Sequence, residues 1–279
     1  MENKISFIEH INKFIEEENV VLPVFGSAAM RVQQELVKKN PDMKVVINLI
    51  YGDQSLSSQV LQIANSAFYK GLVDIVTVKS AIVRLGMQEV GRISLLAAAK
   101  NQFISKNRSL KIVMKKLWQH SVGCAVAARW LAKKGGFEEL ESKAFFAGLF
   151  HDVGKLVVLM VIEEFIKKKI DVTITNDLFN EAMASLHNQQ GYDLLKTWNL
   201  SEEYCVVARD HNLETFDNKN SLLAIVRLAN MTCKKIGIGL QKNPDLVICS
   251  TEEAQLVDLT EIEFAELEIL LEDSKVLMG

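Results

Sequence analysis

The sequence predicts an all-α protein built as a multi-helix bundle. Apolar residues recur at intervals of three or four along most of the chain, as in Ile5, Ile8, Ile11 and Phe14, and this spacing places them on one helix face. Only three prolines occur among the 279 residues, so long helices can run without interruption. Apolar residues make up 49% of the chain and charged residues 24%, which is typical of a folded globular protein and excludes a disordered one.

The bounds of the helices follow from breaks in this spacing. Asn40-Pro41-Asp42 and Gly135-Gly136 interrupt it because such residues favour turns, and Ser55 is predicted as an N-cap. A β-branched stretch at 171–175 could form a short extended piece. The predicted helices cover 5–18, a segment that starts at Leu22-Pro23 and keeps helical spacing through Val37, 45–68 with a pause at Gly52-Asp53, 78–85, 90–103, 111–134, 140–150, 156–169, 177–197, 202–212, 221–235 and 252–273.

Charge and hydropathy narrow the classes of function. The net charge is -3, and the basic run between Lys100 and Lys116 is interpreted as a solvated face, so no nucleic-acid partner is expected. The longest apolar run, Leu156–Ile162, has seven residues, whereas a membrane span needs about 20. None of the four cysteines lies in a CxxC pair, and Cys124 and Cys205 are predicted as core residues. We therefore expect a cytoplasmic protein in a reducing compartment, without a membrane anchor.

The last predicted helix, 252–273, carries nine acidic residues and no Lys or Arg. Apolar Phe264, Leu267 and Leu271 still recur at helical spacing. The pattern favours a surface helix docked by one face, and an acidic partner-binding tail is the alternative.

Four of the five histidines fall on apolar helix faces, and each therefore points inward if its helix forms. Buried imidazoles need hydrogen-bond partners, and a shared metal ion is one way to satisfy several of them at once. Asp152 adds a carboxylate beside one of these rings, and Asp210 is a second carboxylate in sequence. The alternative is that each ring is a separately hydrogen-bonded core residue. The candidate metal ligands are His120, His151, Asp152, His187 and His211, a nitrogen and oxygen set that suits a divalent iron, manganese or zinc ion.

The most specific motif around these residues is FHDVGK at 150–155. In it a helix ends at a histidine–aspartate pair that is followed by a glycine and a lysine. Gly154 permits a close backbone approach or a turn. Lys155 could offset the charge of a phosphate, or it could cap the C-terminus of the preceding helix.

Two blocks of sequence resemble the HDOD family, a branch of the HD superfamily of metal-dependent phosphohydrolases. The first block is LIYGDQSLSSQVLQIANSAFY at 49–69 with SAIVRLGMQEV at 80–90. The second is His120, then FHDVGKL at 150–156, HNQQGYDLLKTWNL at 187–200 and ARDHN at 208–212. The Asn65-Ser66-Ala67 element of the first block is interpreted as a helix stop or as a ligand or partner surface.

The resemblance implies an N-terminal helical lobe at 1–110 packed on an HD-like helical lobe at 111–240, followed by an acidic C-terminal helix at 241–279. Members of this family are mostly regulatory modules of bacterial signal transduction, whereas the HD-GYP relatives hydrolyse cyclic di-GMP at a multi-metal site. No receiver, diguanylate cyclase or kinase segment is recognised in the chain, so we expect a stand-alone module.

The chain departs from the active relatives in three places. The double histidine of the family is Asp210-His211 here, no Gly-Tyr-Pro element follows, and the last aspartate ligand falls on Asn230, whose amide supplies no charge to hold a cation. We therefore expect a regulatory module that acts through signalling proteins and binds metal without turnover. The alternatives are a metal-dependent phosphohydrolase acting on a nucleotide or cyclic dinucleotide, and a module that captures a small phosphorylated ligand.

Overall fold

The structure is a computed structural model that describes residues 6–17, 27–170 and 174–278. Within these ranges the chain is helical and contains no strand, which confirms the predicted fold class. Part of the predicted extended piece, 171–173, lies outside the described residues. The α-helices are α1 (Phe7–Glu16), α2 (Ser27–Leu36), α3 (Met43–Tyr51), α4 (Gln54–Ala64), α5 (Val78–Leu85), α6 (Met87–Lys100), α7 (Arg108–Lys134), α8 (Glu141–Phe150), α9 (Val153–Lys168), α10 (Asn176–Thr197), α11 (Glu202–Asp210), α12 (Ser221–Ile236), α13 (Glu252–Val257) and α14 (Glu261–Asp273).

The chain forms two compact units, which are described separately. The first contains α1 and the helices from α7 onward, within Met1–Pro23 and Ser105–Glu272, and the second contains α2 to α6, within Val24–Ile104, together with Asp273–Gly279. Helix α1 belongs with the later helices because Phe7 and Phe14 pack edge-on against Phe165 of α9, at ring-centroid distances of 6.4 and 5.0 Å. This grouping differs from the N-terminal lobe expected at 1–110, and the lobe boundaries drawn from the sequence stay a prediction.

Polar caps define the helix ends of the second unit. The N-cap of α4 is Asp53, whose side chain accepts from the backbone N–H of Leu56, so the prediction of Ser55 was wrong. Ser55 lies inside the first turn, because the chain enters the helix at the extended backbone of Asp53. At the other end, the Asn65 side chain donates to the carbonyls of Leu61 and Ile75 and accepts from the Ile75 N–H. These bonds favour the helix-stop interpretation of the Asn-Ser-Ala element.

Close backbone approaches bring the helices of the first unit together. A Cβ on Gly148 of α8 would lie 2.6 Å from the Cys124 carbonyl oxygen of α7, and a Cβ on Gly154 of α9 would overlap the His187 carbonyl of α10. Only glycine fits at these crossings. The structure therefore favours close approach as the role of Gly154, and this crossing brings α10 against the turn between α8 and α9.

The stretch Glu138–Lys168 is long and apolar enough to cross a membrane, but 89% of its most apolar window is buried inside the protein. It contains two helices, α8 and α9, which meet at the buried pair His151 and Asp152. Its composition is accordingly that of core helices.

The acidic C-terminal region is two helices, so the single helix predicted over 252–273 was wrong. Helix α13 ends at Asp258, which adopts a left-handed φ of 52°, and Thr260 then forms hydrogen bonds with Glu263 before α14 continues. Phe264, Leu267 and Leu271 are buried on α14. Docking by one apolar face was correctly predicted.

Candidate metal centre

The five candidate ligands come from four separate parts of the first unit. His120 lies in the middle of α7, His187 lies in α10, and His211 follows the last residue of α11. His151 and Asp152 form the turn that joins α8 to α9. All five side chains belong to residues that are at most 5% exposed. We call these five residues the His/Asp cluster.

The Asp152 carboxylate lies at the middle of the cluster. Its Oδ2 is 3.5 Å from Nε2 of His120 and 3.6 Å from Nε2 of His151. Its Oδ1 is 3.6 Å from Nε2 of His187 and 3.2 Å from Nε2 of His211. Most of these separations exceed the roughly 2.7–3.2 Å of a good N–H···O hydrogen bond. They are close to the spacing of two atoms that bind one cation at about 2.1 Å each.

The opposite nitrogen of every ring is bonded to a backbone carbonyl. Nδ1 of His120 donates to Ile238 at 3.0 Å, that of His151 to Gly148 at 2.8 Å, and that of His187 to Ala184 at 3.1 Å. Nδ1 of His211 donates to the Ala208 carbonyl at 3.0 Å. Because a carbonyl oxygen only accepts, Nδ1 carries the proton, and the neutral ring presents a lone pair on Nε2 toward Asp152. A backbone bond that fixes the tautomer in this way is typical of metal-ligating histidines.

In this arrangement the lone pairs of the histidine Nε2 atoms point at the carboxylate oxygens of Asp152, which are also acceptors. Whether these acceptors have donors tests whether the residues fit a metal. Nε2 of His151 and Oδ1 of Asp152 are buried and have no hydrogen-bond partner within the described part of the chain. Buried polar groups left unsatisfied cost about 1–3 kcal/mol each. A cation bound among them would satisfy both, so the residues present fit a metal.

The protonation states of His151, His187, His211 and Asp152 support the same fit. Burial lowers the pKa of His151, His187 and His211, so these rings are neutral near pH 7. Burial alone would raise the pKa of Asp152, but the Lys155 ammonium and then His151 hold it well below its usual range. Burial also opposes the charged form of His120, but Cys124 and then Asp152 outweigh it and raise that pKa.

Asn212 and Asn230 border the His/Asp cluster, and the sequence analysis did not predict their hydrogen bonds there. Nδ2 of Asn212 lies 2.8 Å from Nε2 of His187 and 2.9 Å from Nε2 of His211, so one amide satisfies both rings. Asn230, where the resemblance places the family's last aspartate ligand, donates to Oδ1 of Asn212 at 3.4 Å. Asn212 directly follows His211, and this adjacency was the available signal in the sequence.

Asp210 does not join the cluster, although it was considered as a second carboxylate. Its oxygens accept from Nε and Nη2 of Arg209 at 2.6 and 2.8 Å. Among the described residues, Asp152 is therefore the one carboxylate that faces the histidines.

A buried cysteine pair lies beside His120. Sγ of Cys124 is 3.5 Å from His120 Nε2, and Cys124, Cys233 and His120 form a group whose ligand atoms all lie within 4.8 Å of one another. Burial, followed by the neighbouring Cys233, raises the pKa of the Cys124 thiol to about 12. The one-turn spacing of His120 and Cys124 is visible in the sequence, but the arrival of Cys233 on α12 is not.

The His/Asp cluster opens into a cavity of about 780 Å³. Two ammonium groups line it, from Lys155 and Lys234, together with apolar Phe179, Met183 and Leu240. Nζ of Lys155 is 2.6 Å from Oδ2 of Asp152, so this lysine pairs with the cluster and does not cap α8. Burial lowers the pKa of Lys234, since a charged amine in a partly closed cavity loses hydration.

Known proteins match both the sequence and the fold. The sequence model of the HDOD domain matches residues 22–213, which is more than half of the chain. The chain belongs to the HDOD family.

An uncharacterized protein from Treponema pallidum (strain Nichols) is 23% identical to this HDOD chain over 222 residues, which cover 76% of the chain and 42% of that relative. The chain thus spans less than half the length of this curated relative.

Solved structures share the fold. An HDOD domain protein of unknown function from Geobacter sulfurreducens has a TM-score of 0.75 at 21% identity, over 97% of this chain and 95% of that one. A candidate metal-dependent phosphohydrolase from Shewanella amazonensis SB2B has a TM-score of 0.67 at 21% identity, with 95% and 97% covered. A candidate signal transduction protein from Marinobacter aquaeolei VT8 has a TM-score of 0.69 at 18% identity, with 99% and 66% covered. At such identities, the likeness shows the fold alone.

Proposed function

We propose that this HDOD protein is a cytoplasmic, metal-binding regulatory module of bacterial signal transduction that acts without turnover. The observation that carries the metal site is the meeting of four imidazole Nε2 atoms on the buried Asp152 carboxylate, with each opposite nitrogen held by a carbonyl. The proposed ligands are the five residues of the His/Asp cluster.

The donor set favours one transition-metal ion. Imidazoles that bind a metal are neutral, so with a single carboxylate the ligand set has a formal charge of about -1, which suits one divalent cation better than two. Nitrogen-rich sets favour iron, manganese or zinc over calcium and magnesium, which prefer oxygen. A bound ion of this kind can polarise a phosphoryl oxygen and lower the pKa of its water.

We propose that turnover is absent because neutral asparagines lie where a second metal ion would need charged ligands. Asn230 carries no charge, and its amide reaches Asn212. Asn212 in turn contacts the Nε2 atoms of His187 and His211. Because carboxylates balance the charge of a dinuclear centre, the single carboxylate that faces the histidines among the described residues disfavours a second metal ion. Its output would then be association with signalling proteins.

Elemental analysis of protein purified without chelator or affinity tag tests the metal site. We expect stoichiometric iron, manganese or zinc, and a thermal midpoint that falls after chelation because binding to the native state adds stability. His151→Ala should lower the midpoint more in metal-loaded than in stripped protein. His10→Ala, at the histidine outside the cluster, is the matched control. Equal losses of His151→Ala in both forms, or protein that takes up none of these ions, would contradict a metal site.

A metal-dependent phosphohydrolase is the second candidate, and the cavity with its two lysines favours it. Lys155 lies against Asp152, and Lys234 lines the same cavity, where apolar Phe179 offers a surface for a nucleobase. Metal-loaded protein would be incubated with nucleotides and cyclic dinucleotides. Turnover that His151→Ala abolishes would establish the enzyme and replace the regulatory proposal.

Capture of a phosphorylated ligand without chemistry is distinguished by calorimetric titration with the same compounds. Saturable heat without turnover supports capture, and Lys234→Met should remove that heat. Its control is Lys235→Met, because Lys235 instead pairs with Glu268 on α14. The absence of saturable heat in the titration favours a module that works through protein contacts alone.

A further inference from the structure

A second group of potential ligands overlaps the His/Asp cluster at His120. Cys124 lies one turn after His120 on α7, and Cys233 lies on α12, which packs against α7. The cysteines are fully buried and His120 is 5% exposed. None of the four cysteines forms a disulfide, so both thiols are available as ligands.

The spacing within this group is that of a thiolate metal site, although Sγ of Cys124 is also 4.0 Å from Nδ1 of His120 and therefore lies beside the ring face, off the axis of the Nε2 lone pair. Sγ of Cys124 is 3.5 Å from Nε2 of His120, and zinc with bond lengths of about 2.3 Å to sulfur and 2.1 Å to nitrogen places such atoms roughly 3.6 Å apart in a tetrahedron. Two sulfurs on one zinc would be about 3.8 Å apart. The three ligand atoms lie within 4.8 Å of one another, so rotation of the Cys124 thiol toward the Nε2 lone pair would complete the set.

The backbone around Ile238 and Gly239 fixes the position and the tautomer of the His120 ring. The Ile238 carbonyl accepts from Nδ1 at 3.0 Å, which leaves Nε2 as the ligand atom. Gly239, with a φ of 117°, packs so closely that a Cβ there would lie 2.8 Å from the His120 Cβ. His120 also lines the cavity, so a fourth ligand from solvent has access.

We propose that His120, Cys124 and Cys233 form a site for a thiophilic cation, with zinc as the ion of best fit. The two thiols lose their protons to solvent when a Zn²⁺ ion binds, and each sulfur donates an electron pair to the metal without any change of oxidation state. Thiolates select zinc over manganese and magnesium. Nε2 of His120 has one lone pair, so when it serves this ion the other four residues of the His/Asp cluster remain to hold an ion on Asp152. The site does not depend on metal binding by the rest of the His/Asp cluster.

Cobalt(II) titration of the reduced, full-length protein under anaerobic conditions tests the site. We expect the near-ultraviolet thiolate-to-cobalt charge-transfer band and the intense visible bands of a tetrahedral ion, both lost on adding zinc. Cys124→Ser and Cys233→Ser should each reduce or abolish the sulfur band. The matched control is Cys205→Ser, at a fully buried cysteine on α11 whose thiol donates to the carbonyls of Leu200 and Ser201, and this variant should retain the band. A sulfur band that persists in the Cys124 and Cys233 variants would overturn the proposal.

Asp152→Asn separates this inference from the proposed function. If the sulfur band survives in this variant, the thiolate site stands by itself. If wild-type protein binds cobalt through a site that needs Asp152 and shows no sulfur band, the proposed function stands and this inference fails.

X-ray absorption at the zinc edge of wild-type protein gives a result that no folding defect can affect. Two sulfur scatterers at about 2.3 Å are expected. A shell of nitrogen and oxygen alone would refute the site.

Discussion

Each unit of the molecule buries a charged cluster, and the two clusters are satisfied in opposite ways. In the second unit, Arg92 donates to Glu89 through Nη2 and Nε at 2.6 and 3.1 Å, and the Tyr69 hydroxyl donates to the same carboxylate at 2.5 Å. In the first unit, Asp152 has one close cationic partner, Lys155, and otherwise faces the lone pairs of histidines. We call the group of Glu89, Arg92 and Tyr69 the Glu89 cluster.

The comparison shows what distinguishes a structural charge from a candidate site. Glu89 and Arg92 are each 8% exposed, yet donors from the chain meet the carboxylate, so the cluster is complete without a ligand. In the His/Asp cluster, His151 Nε2 and Asp152 Oδ1 meet no donor from the residues that the structure describes. Burial of charge therefore does not by itself indicate a ligand, whereas acceptors that converge without a donor do.

The largest expected effect is at Asp152. Asp152→Asn removes the one carboxylate of the His/Asp cluster, so we expect loss of metal-dependent stabilisation, about 4 kcal/mol when the free ion exceeds its Kd a thousandfold. Thermal unfolding with and without metal measures this. Glu89→Gln is the matched carboxylate-to-amide control, which should destabilise the protein but keep its response to metal. If metal stabilises Asp152→Asn as much as it stabilises the wild-type protein, the proposed difference between the His/Asp cluster and the Glu89 cluster is wrong.

Arg92→Met should destabilise the protein by about 3 kcal/mol, because it leaves the buried Glu89 without its cation. Urea unfolding gives the free energy, and metal content should not change. A loss below about 1 kcal/mol would mean that the Glu89 cluster is hydrated and not a buried ion pair.

Asn212→Ala tests whether the donor that Asn212 supplies to the His/Asp cluster stabilises the metal-free protein. It removes the amide that satisfies His187 and His211, so metal-stripped protein should lose about 1–2 kcal/mol. Metal affinity should stay the same or rise, since the ion no longer competes with this amide for Nε2. Weaker metal binding in this variant would show instead that Asn212 helps to position the ligands.

The smallest effect is expected at Ser66 in the second unit, whose buried hydroxyl has no hydrogen-bond partner in the described part of the chain. Ser66→Ala should change the free energy of unfolding by roughly 0.5 kcal/mol or less, because no hydrogen bond is lost. The neighbouring Asn65→Ala removes three backbone-directed bonds and should cost about 2 kcal/mol. Similar losses in both variants would contradict this assignment of bonds.

Much of the fold followed from local pattern, and the misses have local causes that the pattern does not encode. Helical spacing located α7 to α12 closely because apolar residues there recur with the period of a helix. It missed the break at Asp258, where a left-handed residue and the Thr260 cap interrupt a run that stays apolar on one face. It misplaced the cap of α4 by two residues, since both Asp53 and Ser55 are good capping types.

The sequence by itself determined that the protein is all-α, that it belongs with HDOD domains, and which histidines and aspartate to examine. Only the tertiary structure decided that four Nε2 atoms meet at Asp152, that Asn212 contacts two of them, and that Cys233 approaches Cys124. Spacing along one helix specifies which side chains share a face, because the period is local. Which faces meet depends on helix crossings such as that at Gly154, and these arise only when distant segments pack.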